Sequence, residues 1–308
     1  MSSPSPNISS VNFDTPNIIV VCTDRHVILN KIPEFTLLAH CTGMKFLHAV
    51  TFNDLIVAVG DGDIPPYTAF FLQIFQKDTG VFIRKLEFPD RILDLKVNSS
   101  HLFVSLESMI HVYEITTFHS IATIDRKSAS GLFTVNENII AYPDDRKPGS
   151  VLIADIPGFS VVNTIQCHSG AIHNLYLSKT SNTLATASTK GTLIRLFDSK
   201  TGEKVGQYRR GYTQGDIIAM SLTPDYLCAC SHQTLHVFGK DGRYVNQSLS
   251  DPPLACLISG NRITVALKNG TSYDYMINPT NFKIENVSQY RLVPPIALSA
   301  KHNRRITL

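Results

Sequence analysis

The chain has 308 residues, of which 43% are hydrophobic and 17% charged, with a formal net charge of +3. This composition is that of a folded globular protein and excludes a disordered chain. The mild net charge does not favour nucleic acid as a partner. The chain has no run of about 18 apolar residues, and its Ser- and Pro-rich start lacks the regions of a secretory leader. We therefore expect a protein that is neither secreted nor membrane-spanning.

Six cysteines are scattered without the spacing of a metal site or a disulfide framework. This usage predicts buried thiols in the reducing cytoplasm. His232 and His236 have His-x3-His spacing, but their stretch has the pattern of a turn and a strand, and no carboxylate or cysteine completes a ligand set. Nucleotide-binding, serine-hydrolase and zinc-protease motifs are absent. We expect no enzyme activity, no metal and no cofactor.

Short strands are predicted along most of the chain. Residues 1–10 are rich in Ser, Pro and Asn and predict a flexible lead-in. From Val11 to about residue 295, β-branched and aromatic runs alternate with Gly, Pro, Asn and Asp, which predicts an all-β domain. Residues 296–308 form a basic tail, expected to be solvated. Runs of strand length include Asn17–Cys22, Leu55–Gly60, Phe70–Phe75, His101–Leu106, Met109–Tyr113, Ile139–Tyr142, Val151–Ala154, Thr192–Asp198 and Asp216–Leu222.

A repeat of about 40 residues is expected of a propeller, in which each repeat ends a strand with an apolar residue before a polar turn. Seven such positions are spaced by 37 to 46 residues: Leu29, Phe75, Tyr113, Ala154, Phe197, Phe238 and Tyr275. The spacing predicts a seven-bladed β-propeller of four-stranded blades. The Trp-Asp pair of ordinary WD repeats is absent, because the chain has no tryptophan.

Arg209 and Arg210 lie between two predicted strands and are followed by Gly211. In an extended segment, successive side chains leave on opposite faces, so the two arginines suit two separate pockets. A guanidinium matches the oxygens of a phosphate and keeps its charge, which favours phosphate ligands. Glycine allows the backbone to turn away without a side chain in the path.

With its flanks, Tyr208-Arg209-Arg210-Gly211 resembles the signature of the PROPPIN family, the phosphoinositide-binding seven-bladed propellers of autophagy and endosomal membranes. The family has Phe or Leu where this chain has Tyr208. The resemblance extends from about Phe46 to Leu292, through motifs that follow the family's order: Val57–Pro66, Phe88–Leu93, Ile110–Tyr113, Gly131-Leu132, Ala141–Pro143, Gly149–Asp155 and Gly270–Tyr275.

The resemblance implies two phosphoinositide pockets. The first is on the fifth-blade side and combines Arg209 with four further residues: His168, Ser188, Thr192 and Arg195. The second is on the sixth-blade side and combines Arg210 with Ser231, Thr234 and His236. The second stretch is about one residue shorter than the family pattern and lacks the glycine before its threonine, so its loop geometry differs from that of the family.

The family usually has a long apolar loop in the sixth blade that enters the bilayer. Here the corresponding link is Gly239-Lys240-Asp241-Gly242 before Arg243. We expect a more purely electrostatic docking, in which Lys240 and Arg243 add attraction to an anionic surface.

The resemblance implies a cytoplasmic, monomeric effector. It would bind phosphatidylinositol 3-phosphate, the 3,5-bisphosphate or both on preautophagosomal, endosomal or vacuolar/lysosomal membranes, and would recruit autophagy adaptor proteins. The alternative is a protein-interaction scaffold that has lost much of its lipid binding. The short second-pocket motif and the missing loop favour the scaffold, whereas both retained arginines favour the lipid effector.

Overall fold

The chain folds into 28 β-strands, in a computed structural model that describes residues 7–15, 17–32, 36–42, 45–63, 67–126 and 130–293. For residues 36–42 only the course of the backbone is described. The strands form seven antiparallel sheets of four, and in each sheet the strands follow one another in chain order. Within the described residues there is no helix that could span a bilayer.

Each sheet is one blade. Blade 1 contains β1 (Ile8–Thr15), β2 (Ile18–Thr23), β3 (His26–Lys31) and β4 (Thr36–Thr42). Blade 2 contains β5 (Phe46–Phe52), β6 (Leu55–Gly60), β7 (Phe71–Gln76) and β8 (Phe82–Glu87). Blade 3 contains β9 (Asp94–Val97), β10 (His101–Ser105), β11 (Met109–Glu114) and β12 (Ser120–Asp125).

The remaining blades repeat this plan. Blade 4 contains β13 (Thr134–Val135), β14 (Ile139–Pro143), β15 (Ser150–Asp155) and β16 (Val161–Gln166). Blade 5 contains β17 (Ile172–Leu177), β18 (Thr183–Ser188), β19 (Leu193–Asp198) and β20 (Lys204–Arg209). Blade 6 contains β21 (Ile217–Leu222), β22 (Tyr226–Ser231), β23 (Thr234–Gly239) and β24 (Tyr244–Ser248). Blade 7 contains β25 (Pro253–Ser259), β26 (Arg262–Leu267), β27 (Thr271–Ile277) and β28 (Ile284–Arg291).

The first strands of the blades surround the centre of the molecule. Each of them contacts the first strand of the next blade, and β1 contacts both β5 and β25, so the ring is closed. The predicted seven-bladed propeller is therefore confirmed. Blade 1 and blade 7 are each built from their own four consecutive strands, so no strand is shared across the closure.

The seven predicted repeat positions occupy equivalent places. Each lies near the end of the third strand of its blade: Leu29 in β3, Phe75 in β7, Tyr113 in β11, Ala154 in β15, Phe197 in β19, Phe238 in β23 and Tyr275 in β27. Six of these side chains are buried, and Tyr113 is partly buried. The third strand lies between two others in its sheet, so both of its edges are paired.

The hydrophobic core is divided among the boundaries between blades. Seven clusters of buried side chains are found among the described residues, and each joins two neighbouring blades. Blades 5 and 6, for example, meet through Ala185, Ile194, Met220 and Phe238. A blade hides both of its faces against its neighbours, which explains why its inner strands are apolar with little alternation.

The first strand begins at Ile8, inside the stretch expected to be a lead-in. Ile8 is buried and pairs with Thr23 of β2. Only one face of β1 is apolar, so its Ser and Asn residues gave this stretch the composition of a loop. Residues 1–6 and the basic tail at 296–308 lie outside the described residues, whose last member is Val293.

Candidate functional site

The two arginines lie at the outer edge of blade 5, on its last strand. Arg209 ends β20, and the backbone N–H of Arg210 continues the strand pairing with a bond of 3.0 Å to the Thr192 carbonyl. Side chains alternate along such a segment. Tyr208, which leaves on the same face as Arg210, stacks on Phe238 of blade 6 with ring centroids 5.0 Å apart. The Arg210 face is therefore turned toward blade 6.

The opposite face of β20 carries Arg209 and Gln207. Gln207 accepts a 3.1 Å hydrogen bond from Arg195 Nε, and Arg195 Nη1 donates to the Cys167 carbonyl in the link from blade 4 at 2.5 Å. This face is turned toward blade 4. We call the space beside Arg195 and Arg209 the first cleft, and the space beside Arg210 and blade 6 the second cleft.

His168 lies near Arg195 of the first cleft. It is buried, and its Nε2 forms a 2.9 Å hydrogen bond with Thr186 Oγ1. Burial, followed by the charge of Arg195, lowers the pKa of His168 to about 4. The imidazole is therefore neutral at pH 7 and serves as a directional hydrogen-bonding group. The positive charge of the cleft comes from the arginines.

Ser188 ends β18, and Thr192 is the last of the four residues that link β18 to β19, which include Gly191 at a φ of +58°. Ser188 is buried and Thr192 is half-buried. Arg209 lies opposite Leu193, next to Thr192. The structure thus brings Arg195 close to His168, and Thr192 close to the arginine pair. No contact among the described residues joins Arg209 to His168.

Arg209 is exposed, and its guanidinium carbon lies 4.9 Å from the ring centre of Tyr212. Arg210 is held more firmly. Its Nε donates to the Gly191 carbonyl at 2.9 Å, and its Nη2 donates to the carbonyls of Thr213 and Gly215 at 2.6 and 3.3 Å. Neither arginine forms an ion pair with an acidic residue in the described ranges, so both charges are left for an external anion.

In the second cleft, Ser231 and His236 are in direct contact. Ser231 Oγ and His236 Nε2 are 2.9 Å apart, and His236 Nδ1 is 2.8 Å from the hydroxyl of Tyr244. Burial, followed by the charge of Arg210, lowers the pKa of His236 to about 4. His236 is therefore a second neutral imidazole in a cleft with a cation. Both of its ring nitrogens already have partners.

The blade-6 hairpin is shorter than its blade-5 counterpart. The turn between β22 and β23 has two residues, His232 and Gln233, and Ser231 pairs with Thr234 across it. His232 adopts a φ of +46°. A Cβ on Gly215 would lie 2.9 Å from His232 Nε2 and 3.0 Å from Arg210 Nη2, so these two side chains converge there. His232 therefore belongs to the second cleft, and Thr234 lies at the end of the turn, half-buried.

Four cleft residues were missed by the sequence reasoning: Thr186, Gln207, His232 and Tyr244. Three of them reach the cleft only through strand pairing, which no local motif reports. The sequence pattern of His232 indicates only a weak metal-ligand spacing with His236. Among the described residues, no group of three or more His, Cys, Asp or Glu side chains is arranged to hold a metal.

The link between β23 and β24 spans residues 240–243 and contains two cations, Lys240 and Arg243. Lys240 forms an ion pair with Asp225, and Arg243 Nε lies 2.7 Å from the carboxylate of Asp241. Each cation is thus compensated by a neighbouring carboxylate. Because these exposed ion pairs reduce the net charge of the link, Lys240 and Arg243 offer less attraction to an anionic surface than two unpaired cations would.

Comparisons with known proteins agree with this architecture. The PROPPIN family model matches residues 48–275. The chain belongs to the PROPPIN family. Among curated relatives of this PROPPIN, Autophagy-related protein 18 of Dictyostelium discoideum is 31% identical over 247 residues, which cover 77% of this chain and 66% of that protein. Autophagy-related protein 18 of Komagataella pastoris is 28% identical, with 76% of this chain and 51% of that protein covered. The chain thus spans about half to two thirds of the length of these relatives.

Solved structures show the same fold. Kluyveromyces lactis Hsv2 superposes with a TM-score of 0.79 at 17% identity, covering 94% of this PROPPIN and 100% of Hsv2. KlAtg21, solved as a complex with the coiled-coil of AgAtg16, superposes with a TM-score of 0.78 at 21% identity, covering 92% of this PROPPIN and 99% of the matched chain.

Proposed function

We propose that this PROPPIN is a peripheral membrane effector that binds phosphatidylinositol 3-phosphate, phosphatidylinositol 3,5-bisphosphate or both through its two clefts. One observation carries the proposal: the side chains of Arg209, which ends β20, and of Arg210, which directly follows it, leave on opposite faces, and neither is paired with a described acidic residue. A buried or shared ion pair would have removed the charge that an anionic headgroup needs.

The chemistry of each cleft suits a phosphorylated inositol. An arginine provides charge and planar donors for phosphate oxygens. The hydroxyls of Ser188 and Thr192 in the first cleft, and of Thr234 in the second, supply further hydrogen bonds. Each charge-assisted hydrogen bond contributes about 1.5–3 kcal/mol, so a single headgroup is held weakly.

Two weak clefts on one edge of the propeller support membrane attachment better than either alone. After one headgroup is bound, the second binding event occurs at a high effective concentration of lipid, which raises avidity by about 10² or more. The protein would act in autophagy and endolysosomal traffic, on preautophagosomal, endosomal or vacuolar/lysosomal membranes. This role is supported by the autophagy-related relatives.

The test is flotation with liposomes that contain one defined phosphoinositide. We compare the wild type with Arg209→Thr, Arg210→Thr and the double variant. Arg243→Thr is the matched control, because this arginine is also on the surface, in the link between β23 and β24 on the blade 7 side of blade 6, but is paired with Asp241. We expect partial loss in each single variant, complete loss in the double variant and normal flotation of the control.

A scaffold function is the second candidate, favoured by the two-residue turn in blade 6 and the four-residue link between β23 and β24. The complex of KlAtg21 with a coiled-coil supports adaptor proteins as partners of this fold. If all four variants float as the wild type does, or if the wild type does not float on any phosphoinositide, the scaffold is the better description.

A further inference from the structure

Tyr212 is the most exposed large hydrophobic side chain in the described part of the chain, with a relative exposure of 88%. The next in order, Val162, is 59% exposed. Tyr212 lies in the link from β20 to β21, two residues beyond the arginine pair. A Cβ on the preceding Gly211 would meet no atom within 4 Å, so this part of the link projects from the surface.

The surroundings of Tyr212 are cationic. The guanidinium of Arg209 lies over its ring at 4.9 Å, and Arg210 follows Arg209 along the chain. Lys190 is exposed, and its carbonyl accepts a backbone hydrogen bond from Gly215 in the same link. The acidic residue of this link, Asp216, lies 3.9 Å from His173. An exposed aromatic ring among cations complements a negatively charged bilayer surface.

We propose that Tyr212 is the membrane-interface anchor of this PROPPIN, and that its ring enters the headgroup region of an anionic bilayer while the arginines bind phosphoinositides. This inference rests on the function proposed above. Tyrosine combines an apolar ring with a polar hydroxyl and is enriched at membrane–water interfaces for that reason. Stacking on Arg209 leaves one face of the ring for lipid and keeps the cation beside it.

The bilayer is favoured over a protein groove by the shape of this region. A lone ring at the tip of a link offers far less area than the roughly 800 Å² per partner of a specific protein interface. The link between β23 and β24 cannot take this role, since its residues are Lys240, Asp241, Gly242 and Arg243 and both cations are paired.

The absence of tryptophan from the chain allows a direct test. Tyr212→Trp creates a unique fluorophore at the proposed anchor. On vesicles of phosphatidylcholine with phosphatidylinositol 3-phosphate, we expect a blue-shifted emission that is quenched when the phosphatidylcholine carries brominated acyl chains. The control is Val81→Trp, an exposed position in blade 2 that is 58% exposed in the wild type. It should float equally and show neither change.

A second variant measures the contribution of the ring. Tyr212→Ser should reduce vesicle partition by about tenfold, which corresponds to the loss of roughly 50 Å² of buried apolar surface. Binding of the water-soluble inositol 1,3-bisphosphate, measured by calorimetry, should remain as in the wild type. The headgroup measurement distinguishes loss of the anchor from damage to the clefts.

The outcomes separate this inference from the proposed function. If the wild type floats but the emission of the Tyr212→Trp variant is neither shifted nor quenched, the anchor is overturned and the clefts stand. The anchor is also overturned if Tyr212→Ser floats as well as the wild type. If the wild type does not float on phosphoinositide vesicles, the proposed function fails and the anchor fails with it.

Discussion

At the scale of single residues, each cleft contains a neutral histidine beside a charged arginine. His168 and His236 are both buried, and in each case burial is the first cause of a pKa lowered to about 4. The neighbouring arginine, Arg195 or Arg210, lowers it further. Both imidazoles are neutral at pH 7. In each histidine–arginine pair, the positive charge is therefore that of the arginine.

These histidines predict a pH dependence of stability. An unfolded histidine has a pKa of about 6.5, so between pH 6.5 and 4 the unfolded chain binds more protons than the folded one. The free energy of unfolding should therefore fall as the pH is lowered through this window and level off below it. Each histidine contributes a loss of at most about 3 kcal/mol.

The measurement is urea unfolding at several pH values for the wild type and for His168→Gln combined with His236→Gln. The double variant should be less stable at pH 7 but should lose less stability on acidification. His119→Gln, at an exposed position, is the control and should follow the wild type. If the free energy of unfolding depends on pH in the same way for the wild type and the double variant, the lowered pKa values of His168 and His236 are contradicted.

The residues of the clefts were only partly predictable from the sequence. Arg209 and Arg210 could be found because they form a short motif, whereas the lipid-binding roles of the residues grouped with them stay predictions. Tyr244 could not, because its contact with His236 depends on the register of β23 and β24, in which Phe238 pairs with Tyr244. Gln207 likewise meets Arg195 only through strand pairing.

At the scale of elements, the β18–β19 turn of blade 5 and the link from β20 to β21 differ in the space around their glycines. Gly191 has a φ of +58°, and a Cβ there would lie 1.8 Å from the carbonyl oxygen of Gly215. Gly211 has free space around it. The sequence predicts a backbone role for Gly211, yet the position without room for a side chain is Gly191, which lies against the link that contains Arg210.

We therefore expect two matched glycine-to-alanine substitutions to change the free energy of unfolding by different amounts. Gly191→Ala should lower the free energy of unfolding by about 2 kcal/mol or more, because of the strained φ and the contact with Gly215. Gly211→Ala should change it by less than about 0.5 kcal/mol. Urea unfolding of both variants provides the test, and equal effects would show that the two links are not packed as described.

Blade elements were the most predictable part of the structure. The repeat positions could be found because every third strand ends with a side chain that packs between blades. The start of β1 was harder to predict from the sequence. Ser9 and Ser10 are typical of a loop, but they lie in a strand whose first residue, Ile8, is buried.

At the scale of the whole molecule, the ring closes between blade 7 and blade 1 by side-chain packing. Ile8, Val11 and Ile28 pack there against Ala266 and Leu292. The boundary also contains a buried hydrogen bond between residues 262 positions apart, from Asn30 Nδ2 to the Leu292 carbonyl at 2.9 Å.

Asn30→Ala should destabilise the fold by about 1–3 kcal/mol, because it leaves the buried Leu292 carbonyl without this donor. The control is Asn163→Ala, which removes a similar bond of 3.2 Å to the Lys200 carbonyl at an exposed boundary between blades 4 and 5. We expect an effect below about 0.5 kcal/mol for the control. The free energy of unfolding of both variants is measured with urea. If Asn30→Ala and Asn163→Ala lose similar amounts, the hydrogen bond between blades 1 and 7 has no special role in stability.

Because blades 1 and 7 share no strand, parting them breaks no backbone ladder. Apolar packing has little directional preference, so the Asn30–Leu292 hydrogen bond adds a directional contact to this boundary. The propeller is therefore closed without a backbone latch, and separating blades 1 and 7 costs their apolar contact and the Asn30–Leu292 hydrogen bond while every β-sheet stays intact.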